Sequence, residues 1–552
     1  MSRNLNSFFS ENPASLDISR SRFERPQTIK TTFNAGDVVP FYVDEVLPGD
    51  TMSIDTSKVV RLSTLMTPIM DNIYLDTYFF FVPNRLVWEH WRNFMGENTE
   101  SAWIPETKYS IPQITAPSGG WTEGTIADYM GIPTKVSGLS VNAMPFRAYA
   151  LIMNEWFRDE NLTDPIYVTV GDATVVGSNG SDYRNDCAKG GKPFKAAKLS
   201  DYFTHALPAP QKGSDVLLPI GNFAPVFAGV QDHSNMQPSS IRFQFSDGTD
   251  LSTGQHAVYL NDNGSTGEGV LMASTSTSTA DPNRHGLQPK NLYADLSLAT
   301  GSSINQLRAA FQVQKLYERD ARGGTRYTEI IRSHFGVASP DSRLQRPEYL
   351  GGSRIPVNIT QVVQESQTDS TPQGHTAAYS LSIDSHSDFT KSFVEHGYII
   401  GVMVARYQHT YQQGLERTWK RTLREDFYFP VFANLGEQAI KNYEIYAQGT
   451  DKDNEVFGYQ EAWAEYRYKP NRVSGMMRSN YDQSLDIWHL ADDYDTLPSL
   501  SDEWIREDGS IIDRVIAVSQ RVADQFIADI YVRNVSVRPM PVYSVPGLID
   551  HH

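Results

Sequence analysis

Hydrophobic patterning begins abruptly near residue 37. Before it, residues 1–36 are polar and slightly basic, with Arg20, Arg22, Arg25 and Lys30 and little periodicity, which predicts an extended N-terminal arm. From Asp37, the residues Val38, Phe41 and Val43 lead to the turn Pro48, Gly49, Asp50, and a further strand runs from Thr51 to Leu62. Asn72 to Pro83, NIYLDTYFFFVP, is β-branched and aromatic on both faces, as expected of a strand covered on both sides, and the proline ends it. Asn84 then suits the N-cap of a helix whose positions Leu86, Val87, His90, Trp91, Phe94 and Met95 keep helical spacing up to Gly96. A second helix is predicted over about 145–160, with Pro145 in its first turn and Tyr149, Ile152, Met153, Trp156 and Phe157 on one side. Strand-like segments recur at Arg354 to Val363, Ala377 to Ile383, Gly397 to Tyr407 and Gln525 to Val537. Strands that must share one sheet are therefore separated by long insertions, with 84–353 and roughly 430–515 mostly outside the sheets.

Composition agrees with a β framework. The 552 residues include 9 Trp, 28 Tyr and 26 Phe, which suit strands and interfaces better than helical bundles. Hydrophobic residues at 40% and charged residues at 20% give ample material for a core and exclude a disordered or collagenous chain. Between about Gly221 and Asn291 the composition shifts to Gly, Ser, Thr, Asn and Asp. Short alternating pieces remain there, Ile241, Phe243, Phe245 and Ala257, Tyr259, so a hairpin-rich surface insertion is expected over 221–291. The single cysteine, Cys187, forms no internal disulfide and supplies no multi-cysteine cage, which makes a reducing cytoplasm the simplest site of synthesis. Neither a signal peptide nor a transmembrane segment is expected, because the longest apolar run is about Tyr398 to Ala405.

Searching for chemistry gives mostly negatives. There is no GxxxxGK[ST], no GxGxxG after a strand, no HExxH and no GxSxG, so no catalytic residue, metal site or cofactor is assigned. Glu89 and His90 are adjacent on the expected helix and point about 100° apart, so His90 reads as a packed histidine. Residues 482–513 hold ten acidic residues against Arg506 alone, including Asp492, Asp493 and Asp495. Paired carboxylates there would suit a glycosidase or a calcium loop, but without EF-hand spacing the plainer reading is a solvated acidic loop. Two basic clusters stand out against a formal net charge of −17. Ser303 and Gln306 open a helix that runs to about Ala321 and stops at Gly323 and Gly324. On it Arg308, Lys315, Arg319 and Arg322 fall within roughly 60° of arc. The second cluster is Arg417, Lys420, Arg421 and Arg424, interleaved with Trp419 and close to Tyr411. Basic groups beside aromatics hold single-stranded nucleic acid by phosphate neutralisation and stacking. Composition alone favours a solvated or salt-bridged face over that reading.

Three blocks change the picture: Leu75 to Gly96 (LDTYFFFVPNRLVWEHWRNFMG), Arg332 to Val357 (RSHFGVASPDSRLQRPEYLGGSRIPV) and Val537 to Leu548 (VRPMPVYSVPGL). They closely resemble the major capsid protein of Microviridae, the gokushovirus branch in particular, and the likeness covers the chain from about residue 15 onwards. The resemblance implies a mainly β fold, a viral jelly roll of eight antiparallel strands with long helix- and loop-containing insertions. It implies self-assembly through pentamers into a T=1 icosahedral shell around a circular single-stranded DNA genome, in the cytoplasm of a bacterial host. Expected partners are other copies of the chain, the DNA, a small basic DNA-binding phage protein, an internal scaffolding protein, a minor pilot protein and a host cell-surface receptor. The 221–291 insertion falls where gokushoviruses carry a threefold protrusion, expected to serve host attachment. An acidic protein enclosing DNA needs its few basic clusters turned inward, so the eight basic residues become candidate nucleic-acid contacts. An all-β carbohydrate-active enzyme or a lectin-like module is the alternative that the aromatics and carboxylates leave open.

Overall fold

The alternating segments Thr51–Leu62 and Phe526–Arg538 find each other across almost the whole chain. In the computed structural model, which describes residues 19–98, 108–216, 226–228, 240–246, 250–251, 258–262, 269–274, 284–294, 304–368, 373–374 and 376–543, these are strands β4 and β9. They pair antiparallel from Thr51 opposite Val537 to Leu62 opposite Phe526. Along β9, Phe526, Ala528, Ile530 and Val532 point inward and Ile527, Asp529 and Tyr531 outward, the period-two pattern of a sheet with one solvated face. β1 (Ser21–Glu24) and β2 (Gln27–Phe33) pair with the other edge of β9, and β7 (Ser382–Ser392) with the other edge of β4. A second antiparallel sheet runs in the order β3 (Val39–Val46), β8 (Gly397–Tyr407), β5 (Ile73–Pro83), β6 (Glu348–Pro356).

The two sheets share one core. Phe33, Met52, Ile54, Val60, Phe526 and Ile530 of the first pack with Phe41, Phe79, Phe81, Ile399 and Met403 of the second. The second sheet is covered on its outer side as well: Phe80, Val82, Ile400, Val402 and Val404 pack with Trp88, Trp121 and the helix Met144–Ile152. This explains why NIYLDTYFFFVP is apolar on both faces. The fold is thus a mostly antiparallel β-sandwich carrying long insertions.

Several expectations shift. Residues 21–33, expected within a 1–36 arm, are β1 and β2 of the first sheet; residues 1–18 and the cap residue Ser303 lie outside the described residues. The insertion expected over 84–353 ends earlier, because β6 starts at Glu348. The helix expected from Asn84 to Gly96 is two single turns, Asn84–Val87 and Trp91–Phe94. Trp88 is extended between them, its indole Nε1 donating to Asp172 at 2.7 Å, while the Glu89 amide donates to the Val170 carbonyl at 3.0 Å. Those tertiary bonds replace the intrahelical ones. The helix near 145–160 forms over Met144–Ile152 and continues as a π turn over Met153–Phe157.

The chain divides into two compact units, Met1–Lys212 with Glu318–His552, and Gly213–Tyr317. The second contains the polar 221–291 stretch. Its strands Phe243–Phe245, Arg284–Pro289, Gly269–Ser274 and Val258–Asp262 make an antiparallel sheet in that order, and Val226–Ala228 pairs with Leu292–Ala294.

One cation sits inside the sandwich. Lys58 of β4 crosses the core, and its Nζ donates to Ser353 Oγ on β6 at 2.6 Å and to Thr77 Oγ1 on β5 at 3.1 Å, with Asp384 Oδ2 at 3.4 Å. Burial pulls its pKa below the ordinary lysine value, and Asp388 and Asp384 oppose that pull. Lys58 therefore ties the two sheets together through hydrogen bonds. Substituting Lys58→Met, which keeps the bulk and removes the charge, is expected to lower the unfolding free energy by about 3 kcal/mol, because the partners stay buried without their cation. Urea titration at neutral pH measures this; an unchanged midpoint would show that the brace contributes only packing.

Candidate functional site

The helix Ile304–Gly323 forms as its spacing predicts, and Arg308, Lys315 and Arg319 lie exposed on it. Arg322, also partly exposed, differs from them in being paired. Its guanidinium bonds Glu437 and lies 3.8 Å from Glu461. The second cluster occupies two single 3₁₀ turns, Arg417–Lys420 and Arg424–Asp426, and it too is divided. Arg417 is held by Glu444 at 2.6 Å and Arg421 by Glu465 at 3.1 Å, all four side chains largely buried. Lys420 stays exposed with its ammonium 5.3 Å from the Tyr443 ring, and Arg424 lies 5.3 Å from the Phe429 ring. Of the eight candidate residues, Arg322, Arg417 and Arg421 thus serve internal ion pairs. The surface cations are Arg308, Lys315, Arg319, Lys420 and Arg424. Around the second set the surface is apolar as well as basic, with Trp419, Leu423, Val431 and Leu435 all more than half exposed.

The acidic run 482–513, expected to be a solvated loop, is partly interior. Asp492 and Glu507 are buried with His409 between them: the imidazole Nδ1 lies 3.0 Å from both Asp492 oxygens and Nε2 lies 2.9 Å from Glu507 Oε2. Burial by itself opposes a charged imidazole, but Asp492 and Glu507 outweigh it and push the His409 pKa up to about 10. Burial likewise opposes the Asp492 carboxylate, and the His409 charge holds it below the usual range. Tyr494 donates to Asp492 at 3.0 Å and receives the Trp504 Nε1 proton at 3.1 Å. The backbone closes the same knot: the Glu507 amide donates to Ala196, the Ala196 amide to Gly36, and the Gly36 amide to Ala405, at 2.8–2.9 Å. Gly36 has φ +81°, and a Cβ there would stand 2.0 Å from the Glu507 carbonyl oxygen, so no other residue fits. This knot joins the end of β8 to the insertions on either side. Sequence reasoning missed it because His409 is 83 and 98 residues from its partners and no short motif links them. Among the described residues, no group of three or more His, Cys, Asp or Glu side chains is arranged to hold a metal ion, and no helix is long and apolar enough to cross a membrane.

Fold and site together define a β-sandwich protein whose exposed chemistry, charged and apolar, lies on its insertions. Comparison with known proteins makes the class specific. The family model described as Capsid protein (F protein) matches residues 12–548. Capsid protein VP1 of Spiroplasma virus 4 is 45% identical over 536 residues, covering 96% of each chain. Capsid protein VP1 of Bdellovibrio phage phiMH2K is 45% identical over 537 residues, covering 97% of this chain and 96% of its own. That of Chlamydia phage 1 is 44% identical over 590 residues, covering 98% and 97%. The chain belongs to this family of phage capsid proteins, which are structural proteins and not enzymes.

The knot carries a pH signature. Because the folded-state pKa of His409 lies above its ordinary 6.5, its contribution to stability is full below about pH 6.5 and is lost as pH rises towards 10. Asp492, depressed when folded, contributes above the ordinary carboxylate pKa and loses that contribution in acid. His409→Gln is expected to destabilise the protein by on the order of 3–5 kcal/mol near neutrality, since it strands two buried carboxylates. The same substitution should flatten the fall in stability between about pH 7 and 10. Urea midpoints for both proteins across that range decide it, and parallel curves would contradict the assignment.

Proposed function

We propose that this protein is the major capsid protein of a gokushovirus-like phage, assembling through pentamers into a T=1 icosahedral shell around circular single-stranded DNA. The observation that carries this reading is the family match running from residue 12 to 548. The strand order supports it. The first sheet runs β2–β9–β4–β7 and the second β3–β8–β5–β6, so every consecutive pair of strands from β2 to β9 except β5 and β6 passes between sheets, the order of an eight-stranded jelly roll. Closing the sandwich this way protects most strand edges and leaves the insertions to meet neighbouring copies. The exposed apolar side chains Leu423, Val431 and Phe335 suit burial between copies. The polar stretch 221–291, within the unit Gly213–Tyr317, fits a surface protrusion used in host attachment. Assembly in the host cytoplasm would involve a scaffolding protein, a small basic DNA-binding protein and a minor pilot protein. Expressing the chain with its phage's scaffolding protein and imaging the products tests the reading: closed shells of uniform size support it, and material that never forms shells overturns it.

The exposed cations Arg308, Lys315 and Arg319 face the genome in this reading. Replacing all three with Gln keeps helix propensity and removes positive charge. Shells should still assemble, while genome retention falls and becomes more salt-sensitive, since fewer phosphates are neutralised. Counting filled, empty and unassembled material from the variant measures this. If shells fail first, these residues belong to an interface between copies.

A further inference from the structure

We propose that a cavity beside the second basic cluster holds one unstacked nucleobase of a single DNA strand. The cavity measures about 180 Å³ and is bounded by the turn from Tyr411 to Trp419, by the segment from Tyr468 to Arg478 and by Tyr202 and Phe203. Its volume suits a single planar ring system with little room besides.

The walls supply flat apolar surface. Tyr468 lies against Tyr202 with ring centroids 5.0 Å apart and planes 7° from parallel, which fixes its position. Trp419 is 74% exposed and, among the described residues, its ring stacks on no other. A large indole left in solvent at the mouth of an aromatic cavity offers a stacking face that the fold itself does not use.

The charges select an anion. Three carboxylates line the cavity, and each is already neutralised: Glu444 by Arg417 at 2.6 Å, Glu465 by Arg421 at 3.1 Å, Glu416 by Lys469 at 2.5 Å. Arg472 and Arg478 also line it, both exposed and without a carboxylate partner among the described residues. They leave a surplus of two positive charges at the rim, in a chain whose net charge is −17. A neutral sugar would use the rings but not the cations, whereas a nucleotide within a strand uses both, the base inside and the flanking phosphates on Arg472 and Arg478. Lys420 and Arg424 extend the basic surface from the two 3₁₀ turns Arg417–Lys420 and Arg424–Asp426.

This inference rests on the reading of the chain as a genome-enclosing capsid protein, and its test separates the two. Full-length protein is titrated into a fluorescein-labelled thymidine octamer and into the same octamer with abasic sugars at its central positions, following anisotropy. The intact octamer should bind about tenfold more tightly, the scale of one stacked base. Trp419→Ala, at a surface position, should erase that gap without altering abasic affinity. Arg472→Gln with Arg478→Gln should weaken both ligands and flatten the salt dependence. Equal affinity of the unmodified protein for the two octamers would overturn the base site while leaving charge-driven DNA contact intact. Binding of neither octamer would overturn the genome-contact reading and the base site with it. The ligand comparison needs no variant, so a misfolded substitution cannot rescue the proposal.

Discussion

The sandwich closes only when its last strand arrives. β9 pairs with β2 on one edge and β4 on the other, so Val532 sits opposite both Gln27 and Thr56, roughly five hundred residues earlier in the chain. Until β9 is in place, β2 has no partner strand among the described residues and the inner residues of the first sheet lack Phe526, Ala528 and Ile530. The junction is reinforced at both ends by buried contacts. Phe33 stacks on Phe526 at 5.2 Å at one end, and at the other Asn534 bonds Tyr42 and Asp44 while Arg25 bridges Asp44 and Ser536. Contacts of such sequence separation are slow to form, because loop closure precedes any reward. The long insertions between β5 and β6 and between β8 and β9 must therefore be ordered, or at least out of the way, before the core is complete.

Buried charge sets the geometry of those insertions. Three interior ion groups occupy successive positions: Lys58 between the sheets, Asp76 on the outer side of the second sheet with Arg354 and Arg406, and His409 where β8 gives way to the long insertion. Burying a charge costs several kcal/mol, which only well-placed partners offset. Hydrophobic contact would stabilise the same interfaces with less directional demand. A capsid subunit has a reason to accept the cost, since surfaces that meet neighbouring copies require insertions held at fixed angles, and hydrogen-bonded ions tolerate little sliding. The His409 knot does this for the segments around Gly36, Ala196, Asp492 and Glu507 at once.

Much of the sandwich was legible because burial is periodic. NIYLDTYFFFVP announced a strand covered on both faces, and Phe79 and Phe81 do face one core while Phe80 and Val82 face another. β7 was half missed: SIDSHSDFTKS looks like a loop, since its outward residues are polar and even the buried Asp388 is polar, its Oδ2 accepting from Thr56 at 2.7 Å. β1 and β2 were hidden for the same reason, with polar residues on an outward face. The basic stripe was legible as a helix wheel but not as a surface, because helix periodicity places Arg322 beside Arg319 and says nothing of Glu437, more than a hundred residues on. Local pattern reports which face a residue occupies. Only the fold reports what stands opposite.

That distinction bears directly on the proposed contact between an acidic shell protein and DNA. Once Arg322, Arg417 and Arg421 are spent on internal carboxylates, each copy offers few exposed cations from the two clusters, and each phosphate neutralised on a single strand contributes a salt slope of only about 0.7. Under the proposed genome contact, binding per copy would therefore be weak and reversible at ordinary ionic strength. In a closed shell weakness per copy is an advantage, because many identical sites share one strand and their affinities compound through effective concentration. Tight single sites would instead trap the genome in whatever register it first touched. A stacking face such as Trp419 complements this arrangement, since every base has a π face and the contact reads no sequence. In the proposed arrangement the net negative charge elsewhere would repel loose strand from the remaining surface and leave the few basic clusters as its resting places.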